Sequence, residues 1–224
     1  MRFDGGKGVC FAQIINLIPP HTRYIETHLG GGAVMRNKKA STEQIGIDIN
    51  PSVIQKWEKS EDSLCKLIND DAISALQKLK LDSETVIYAD PPYHPLTRRR
   101  RKVYKHDYSL NDHIMLLDFV LSIPSKVIIS GYYSDLYSDK LKYWNVHKFK
   151  AKTHTDVREE YIWYNFEKPK KLHDYKYVGN NFRERERIRR KRERIIKNLM
   201  SMPIVEVNAI LSTLKENVDP IIEN

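Results

Sequence analysis

Between Thr22 and Phe166 short apolar or β-branched runs alternate with amphipathic stretches, the rhythm of βα units laid around a mostly parallel sheet. RYIET, QIGID, CKLIN, TVIYAD, KVIIS, WNVHKF and EEYIWYNF read as strands. Helices are expected around Val34 to Asn37, Pro51 to Lys59, Ala72 to Lys80, Leu110 to Ile123 and Asp135 to Leu141. In the fourth helix Ser109 and Asp112 supply an N-terminal cap, and Ile114, Leu117 and Leu121 supply the apolar face. No helical stretch separates the last two strands. They read as an antiparallel hairpin that finishes a parallel α/β core.

The flanks differ from this core. Upstream, GGKGVCFAQIINLIPP reads as a glycine loop entering a short helix stopped by Pro19-Pro20. Downstream, FRERERIRRKRERIIKNLM holds nine Lys or Arg against three Glu, so it alone carries a net +6 of the chain's +9. Ile188, Ile195, Ile196 and Leu199 fall on one helical stripe within it. A second helix restarts after Ser201-Met202-Pro203, with Ile204, Ile210, Leu211 and Leu214 apolar, and the two together suggest a basic αα-hairpin. The 224 residues then divide into an α/β domain, residues 1–168, and a basic helical extension, residues 169–224.

The excess of positive charge points to a polyanionic partner. Two cysteines, Cys10 and Cys65, are too few and too far apart for a disulfide framework or a zinc site, and no metal is expected. The first residues lack the cation-then-apolar pattern of a signal peptide, and no apolar stretch approaches the length of a bilayer span. The expectation is a cytoplasmic protein with no membrane partner.

Three strand ends carry candidate chemistry. HLGGGAV follows the first strand, and Gly30, Gly31 and Gly32 let the backbone approach a ligand at a helix start, although a glycine turn without a ligand reads the same way. Asp48 ends the next strand, one helix plus one strand beyond that turn. An acid so placed accepts hydrogen bonds from the hydroxyls of a nucleoside ribose. The third strand ends in Asn69-Asp70-Asp71, where Asp71 either takes the amino group of an adenine ring or caps the following helix.

The fourth strand ends in Asp90-Pro91-Pro92-Tyr93, and five cations, Arg98, Arg99, Arg100, Arg101 and Lys102, follow shortly after. The two prolines fix a rigid turn and remove two amide donors, which leaves carbonyl acceptors. Asp90 adds a carboxylate and Tyr93 a flat face. An acceptor-lined, aromatic-walled slot of this kind suits a planar group bearing an NH2, such as the exocyclic amine of a nucleobase.

From Gly5 to Phe166 the chain resembles the Dam-like group of DNA adenine N6-methyltransferases. The residues that carry the likeness are GGK near the start, ETHLGGGAV, the acidic strand end at Asp48, DPPY and the final EEYIWYNF, in that order. The resemblance implies a Rossmann-like methyltransferase fold with S-adenosyl-L-methionine as methyl donor. It places Lys7 and Phe3 by the methionine end of the donor, Gly30, Gly31, Gly32 and Asp71 around it, and Asp48 on its ribose. Asp90, Pro91, Pro92 and Tyr93 become the catalytic turn, with Asp90 also facing the donor.

A flipped-out adenine stacked on Tyr93 would present its amine to Asp90 and to the Pro91 carbonyl. The partner is then DNA, double-stranded, bound by a monomer or homodimer. Only about 39 residues separate Pro51 from Asp90, which leaves no room for the recognition insert that site-reading Dam-like enzymes carry there. DNA contact falls to the Arg98 to Lys102 loop and to Arg187, Arg190 and Arg194, and specificity is expected to be short or relaxed. An RNA adenine or DNA cytosine-N4 amino-methyltransferase, or a silent nucleic-acid-binding protein on the same fold, remain the alternatives.

Overall fold

The computed structural model describes residues 10–60, 65–94, 97, 106–152 and 157–222. Two compact units divide the chain, Met1–His173 and Asp174–Asn224.

The first unit is built on a seven-stranded sheet in the order β3-β2-β1-β4-β5-β7-β6. The strands are β1 (Arg23–Thr27), β2 (Glu43–Ile47), β3 (Lys66–Ile68), β4 (Thr85–Ala89), β5 (Lys126–Gly131), β6 (Asn145–Lys152) and β7 (Val157–Tyr164). The first five run parallel, and β7 lies antiparallel between β5 and β6. This is the expected Rossmann-like order with a closing hairpin. Strand order reverses between β1 and β4, so the crevice outside their carboxyl ends is where a ligand binds in an open sheet of this kind.

Burial follows from position in the sheet. All of β4 is buried, and so is all of β1 and β5 beyond the first residue, because both faces of a central parallel strand are covered. The outermost parallel strand, β3, has no buried residue. On one face Ile25, Ile45, Ile47, Ile87, Ala89, Val127, Ile129 and Trp163 pack with residues of three helices: α4 (Ala72–Gln77), α5 (Leu110–Ser122) and α6 (Asp135–Lys140). Each fully buried aliphatic side chain there stabilises the fold by about 1.5–3 kcal/mol relative to exposure. Alternation turns Tyr24, Glu26, Tyr88 and Ser130 to the other face, where α2 (Ala33–Asn37) meets Glu26 through the Met35 amide.

The remaining helices of this unit are α1 (Phe11–Ile15) and α3 (Pro51–Glu58). Helix starts obey the local signals. Asn50 caps α3 by accepting from the Ser52 amide, with Pro51 in the first turn, and Ser109 and Asp112 form a reciprocal capping box on α5. The apolar face of α5 is rotated from the expected one. His113, Leu116, Leu117 and Val120 are buried, whereas Leu121 is 45% exposed. The cause is His113, a polar residue in a core position, whose Nδ1 lies 2.9 Å from the Tyr137 hydroxyl.

The second unit contains α7 (Phe182–Met200) and α8 (Ile204–Ile222), in the places that the sequence predicts. Asn181 caps α7 by accepting from the Glu184 amide at 3.0 Å. The helix surface is laced by Arg189 with Glu186 and Glu193, and by Arg187 with Glu184. No residue of α7 is buried, and Ile195 and Ile196 of its apolar stripe are about half exposed. Among the described residues neither Cys10 nor Cys65 takes part in a disulfide. Among the described residues no helix is long and apolar enough to cross a membrane.

Candidate active site

The glycine turn after β1 is held by its neighbours in the sheet. Gly30 and Gly32 have φ of 46° and 57°, in the left-handed region that glycine enters without strain. A Cβ at Gly32 would stand 2.2 Å from Cζ2 of Trp57, so the Trp57 ring occupies the only space a side chain would need. Trp57, on α3, also donates its indole N–H to the Gly30 carbonyl at 2.8 Å, and the Arg36 guanidinium lies 3.9 Å from its ring centre. At Gly30 the added atom would meet, among the described residues, only the His28 carbonyl, at 3.9 Å, which leaves the turn open to them on that side.

Asp48, just past β2, ties this turn to the start of α3. Its Oδ2 accepts from the Gly30 amide at 2.8 Å and its Oδ1 from the Asn50 amide at 2.9 Å. The Asn69 side chain donates to the Asp48 carbonyl at 2.8 Å and so fastens the next strand end to the same place. Asp71 caps α4, its Oδ1 accepting from the amides of Ile73 and Ser74 at 2.9 and 3.1 Å. The capping alternative is therefore realised for Asp71, at the strand end beside that of Asp48.

At the end of β4, Asp90 Oδ1 accepts a hydrogen bond from the Ser130 hydroxyl at 2.7 Å, and Ser130 is itself 2.9 Å from the Tyr88 hydroxyl. Tyr93 donates its hydroxyl to Glu160 Oε2 at 2.7 Å and meets Tyr132 edge to face at 4.4 Å between ring centres. Burial, and then the charges of Asp90 and Glu160, push the Tyr93 phenol well above its ordinary value. It is a neutral donor locked in one orientation. Phe3, Lys7 and the run Arg98 to Lys102 lie outside the described residues. Arg187, Arg190 and Arg194 sit on α7, in the second unit.

The sequence reading passed over several groups that the fold brings to this edge. Glu26, buried in β1, accepts from the Tyr24 hydroxyl and the Met35 amide, and its pKa is pushed up to about 8, chiefly by burial with the charge of Asp90 adding to it. An acid inside the apolar run RYIET was the signal for it. His28 takes a φ of 57°, and its Nε2 lies 2.7 Å from the Tyr108 hydroxyl; burial pulls its pKa down. Tyr108 contacts His113, whose ring stands 5.2 Å from that of His94, the residue after Tyr93. Imidazoles and phenols thus connect the glycine turn, α5 and the DPPY turn. Among the described residues no cluster of His, Cys, Asp or Glu is arranged to hold a metal ion.

Several solved structures and one family model are similar to parts of this chain. Among solved structures, the N-methyltransferase NodS from Bradyrhizobium japonicum WM9 is 9% identical, with a TM-score of 0.49 over 70% of this chain and 93% of that one. A precorrin-6y C5,15-methyltransferase from Geobacter metallireducens GS-15 is 11% identical, with a TM-score of 0.46 over 69% and 85%. A dimethyladenosine transferase from Plasmodium falciparum is 13% identical, with a TM-score of 0.45 over 69% and 59%. No curated protein matches the sequence. Residues 3–83 match the family model of the D12 class N6 adenine-specific DNA methyltransferases, a span that includes the glycine turn, Asp48 and Asp71 and stops short of the DPPY turn. Over these residues the chain is similar to that family.

Proposed function

We propose that the protein transfers a methyl group from S-adenosyl-L-methionine to the exocyclic amine of adenine in DNA. The observation that carries this reading is the Asp90 carboxylate, fixed by Ser130 at the end of β4, beside the glycine turn of β1 at the point where strand order reverses.

The residues present fit the methyl donor. The glycine turn is open at Gly30, and Asp48, held by two backbone amides at the next strand end, keeps lone pairs for a ribose diol. Asp71, at the third strand end, makes its two capping bonds through Oδ1 and is assigned to the purine amine through its other carboxylate oxygen. When bound, the donor supplies a methyl carbon already activated by a sulfonium, so no metal is needed.

The protein supplies acceptors and orientation. Asp90 and the Pro91 carbonyl accept from the two N–H bonds of the target amine, which turns its lone pair toward the methyl carbon. Asp90 would take up the proton that the amine sheds on methylation. Tyr93, immobilised by Glu160 and Tyr132, stacks the adenine once it has left the duplex, a step that costs a few kcal/mol. Between Pro51 and Ala89 the described chain consists of α3, β3, α4 and β4 with short connections, and this supports short or relaxed sequence specificity.

The test is transfer of labelled methyl to unmethylated plasmid DNA, with structured RNA in parallel and the modified nucleoside identified by mass spectrometry. N6-methyldeoxyadenosine is the expected product. N4-methyldeoxycytidine, methylated RNA alone, or cofactor binding without transfer would each overturn the assignment.

A further inference from the structure

A second feature lies beyond the DPPY turn. Thr97, Tyr132, Tyr133, Arg158, Glu159 and Tyr161 line an open groove of about 470 Å³. Three of the six are aromatic, contributed by the segment after β5 and by β7. Tyr133 is half exposed and stands 5.6 Å from Tyr161 between ring centres, while its hydroxyl donates to Asp135 at 3.1 Å. The Arg158 guanidinium lies 5.1 Å from the centre of the Tyr132 ring and donates to the Thr97 carbonyl at 3.3 Å. Lys148, on β6, places its ammonium 4.8 Å from the centre of Tyr161. Glu159 accepts from the Tyr161 hydroxyl at 2.9 Å.

This combination has a chemical meaning. The half-exposed Tyr133 ring offers a stacking platform, Arg158 and Lys148 offer charge for phosphate, and Glu159 offers an acceptor for a base amine or imine. A groove that tracks a polyanion with cations while stacking its flat groups is how proteins hold unpaired nucleotides. Its position adds a constraint. Tyr132 is shared, since the same ring lines the groove and meets Tyr93 edge to face. The groove therefore starts one ring away from the turn assigned to the target adenine.

We infer that this groove receives a second unpaired base of the DNA, the nucleotide next to the target adenine, stacked on Tyr133 with its phosphate on Arg158. The inference rests on the reaction proposed above. It makes single-stranded or locally opened DNA the preferred substrate, because two neighbouring nucleotides must leave the duplex together.

The test uses the full chain and a short single-stranded oligodeoxynucleotide with 2-aminopurine next to an adenine. Wild type is expected to quench the 2-aminopurine. Tyr133→Ala is expected to bind about tenfold more weakly with little quenching, whereas Tyr133→Phe, which keeps the ring, retains both. An abasic residue in place of the 2-aminopurine should cost wild type the same factor and leave Tyr133→Ala unaffected. Arg158→Gln should lower the slope of log affinity against log salt by about one. Equal affinity of Tyr133→Ala and wild type, or an equal Tyr133→Ala penalty on the abasic strand, would overturn the inference. Methyl transfer to plasmid is measured separately. Transfer with no Tyr133 effect removes the groove and keeps the reaction, whereas Tyr133-dependent quenching without transfer keeps the groove as an unpaired-base site and removes the reaction.

Discussion

Ser130, near the end of β5, donates its hydroxyl to the Asp90 carboxylate, just past β4, across 2.7 Å. The bond fixes one carboxylate oxygen and directs the other. Ser130→Ala removes an interaction with a charged acceptor, and such bonds contribute about 1.5–3 kcal/mol. The expected outcome is a fall in the single-turnover methyl-transfer rate of at least about tenfold, with cofactor affinity nearly unchanged. Asp90→Ala should abolish transfer while circular dichroism stays native. Normal turnover in either variant counts against the assigned geometry.

Glu26 predicts a pH dependence of stability. Its pKa rises from 4.5 to about 8 on folding, so the neutral form is favoured in the fold. The resulting stabilisation is fully present below the unfolded value and is lost as pH rises through the folded one. The hydrogen bonds from the Tyr24 hydroxyl and the Met35 amide both fall on Oε2, and the amide oxygen of Glu26→Gln has the capacity for both. Urea unfolding between about pH 5 and pH 9 should show wild type weakening relative to Glu26→Gln, by a few kcal/mol at the alkaline end. Parallel pH profiles for the two proteins would exclude a neutral carboxyl.

Gly32→Ala tests the turn. A left-handed non-glycine residue costs roughly 1–2 kcal/mol, and here the new methyl also collides with the buried Trp57 ring. Thermal unfolding should move down by several degrees, and cofactor binding measured by calorimetry should weaken with it. Gly30→Ala, which meets little but backbone, should unfold nearer to wild type while still weakening the cofactor.

The basic helix makes an ionic-strength prediction. No residue of α7 is buried, so Arg187, Arg190 and Arg194 can be replaced by Gln without damage to a core. If the three contact phosphates, the triple variant should lower the salt slope of DNA binding by about three and weaken binding similarly for every sequence. Fluorescence anisotropy over a range of potassium chloride concentrations reads both quantities. An unchanged slope would take the helix out of the DNA interface.

The parts of this site that were legible in the sequence are those written locally. A strand, a glycine turn and a helix start announce themselves within ten residues, and so do the acid at Asp48 and the proline pair after Asp90. Ser130 reaches Asp90 from 40 positions away, Glu160 reaches Tyr93 from 67, and Tyr108 reaches His28 from 80. No local pattern marks these partners, because strand order alone sets their proximity. The apolar face of α5 was misplaced because His113 reads as polar and is buried by a hydrogen bond that the sequence does not display.

The placement of β7 has a consequence for how the chain assembles. Among the described residues β6 pairs only with β7, so it has no place in the sheet until β7 lies against β5. The two dock as one hairpin, and until they do, the edge of β5 stays unpaired. The strands bearing the glycine turn, Asp48 and Asp90 can close first as the chain emerges from the ribosome. Glu160 and Arg158 arrive only with the hairpin. A nascent chain thus completes the strands of the glycine turn, Asp48 and Asp90 before Glu160 and Arg158 are in place, and an unpaired strand edge such as that of β5 in the interval is a template for pairing with another chain.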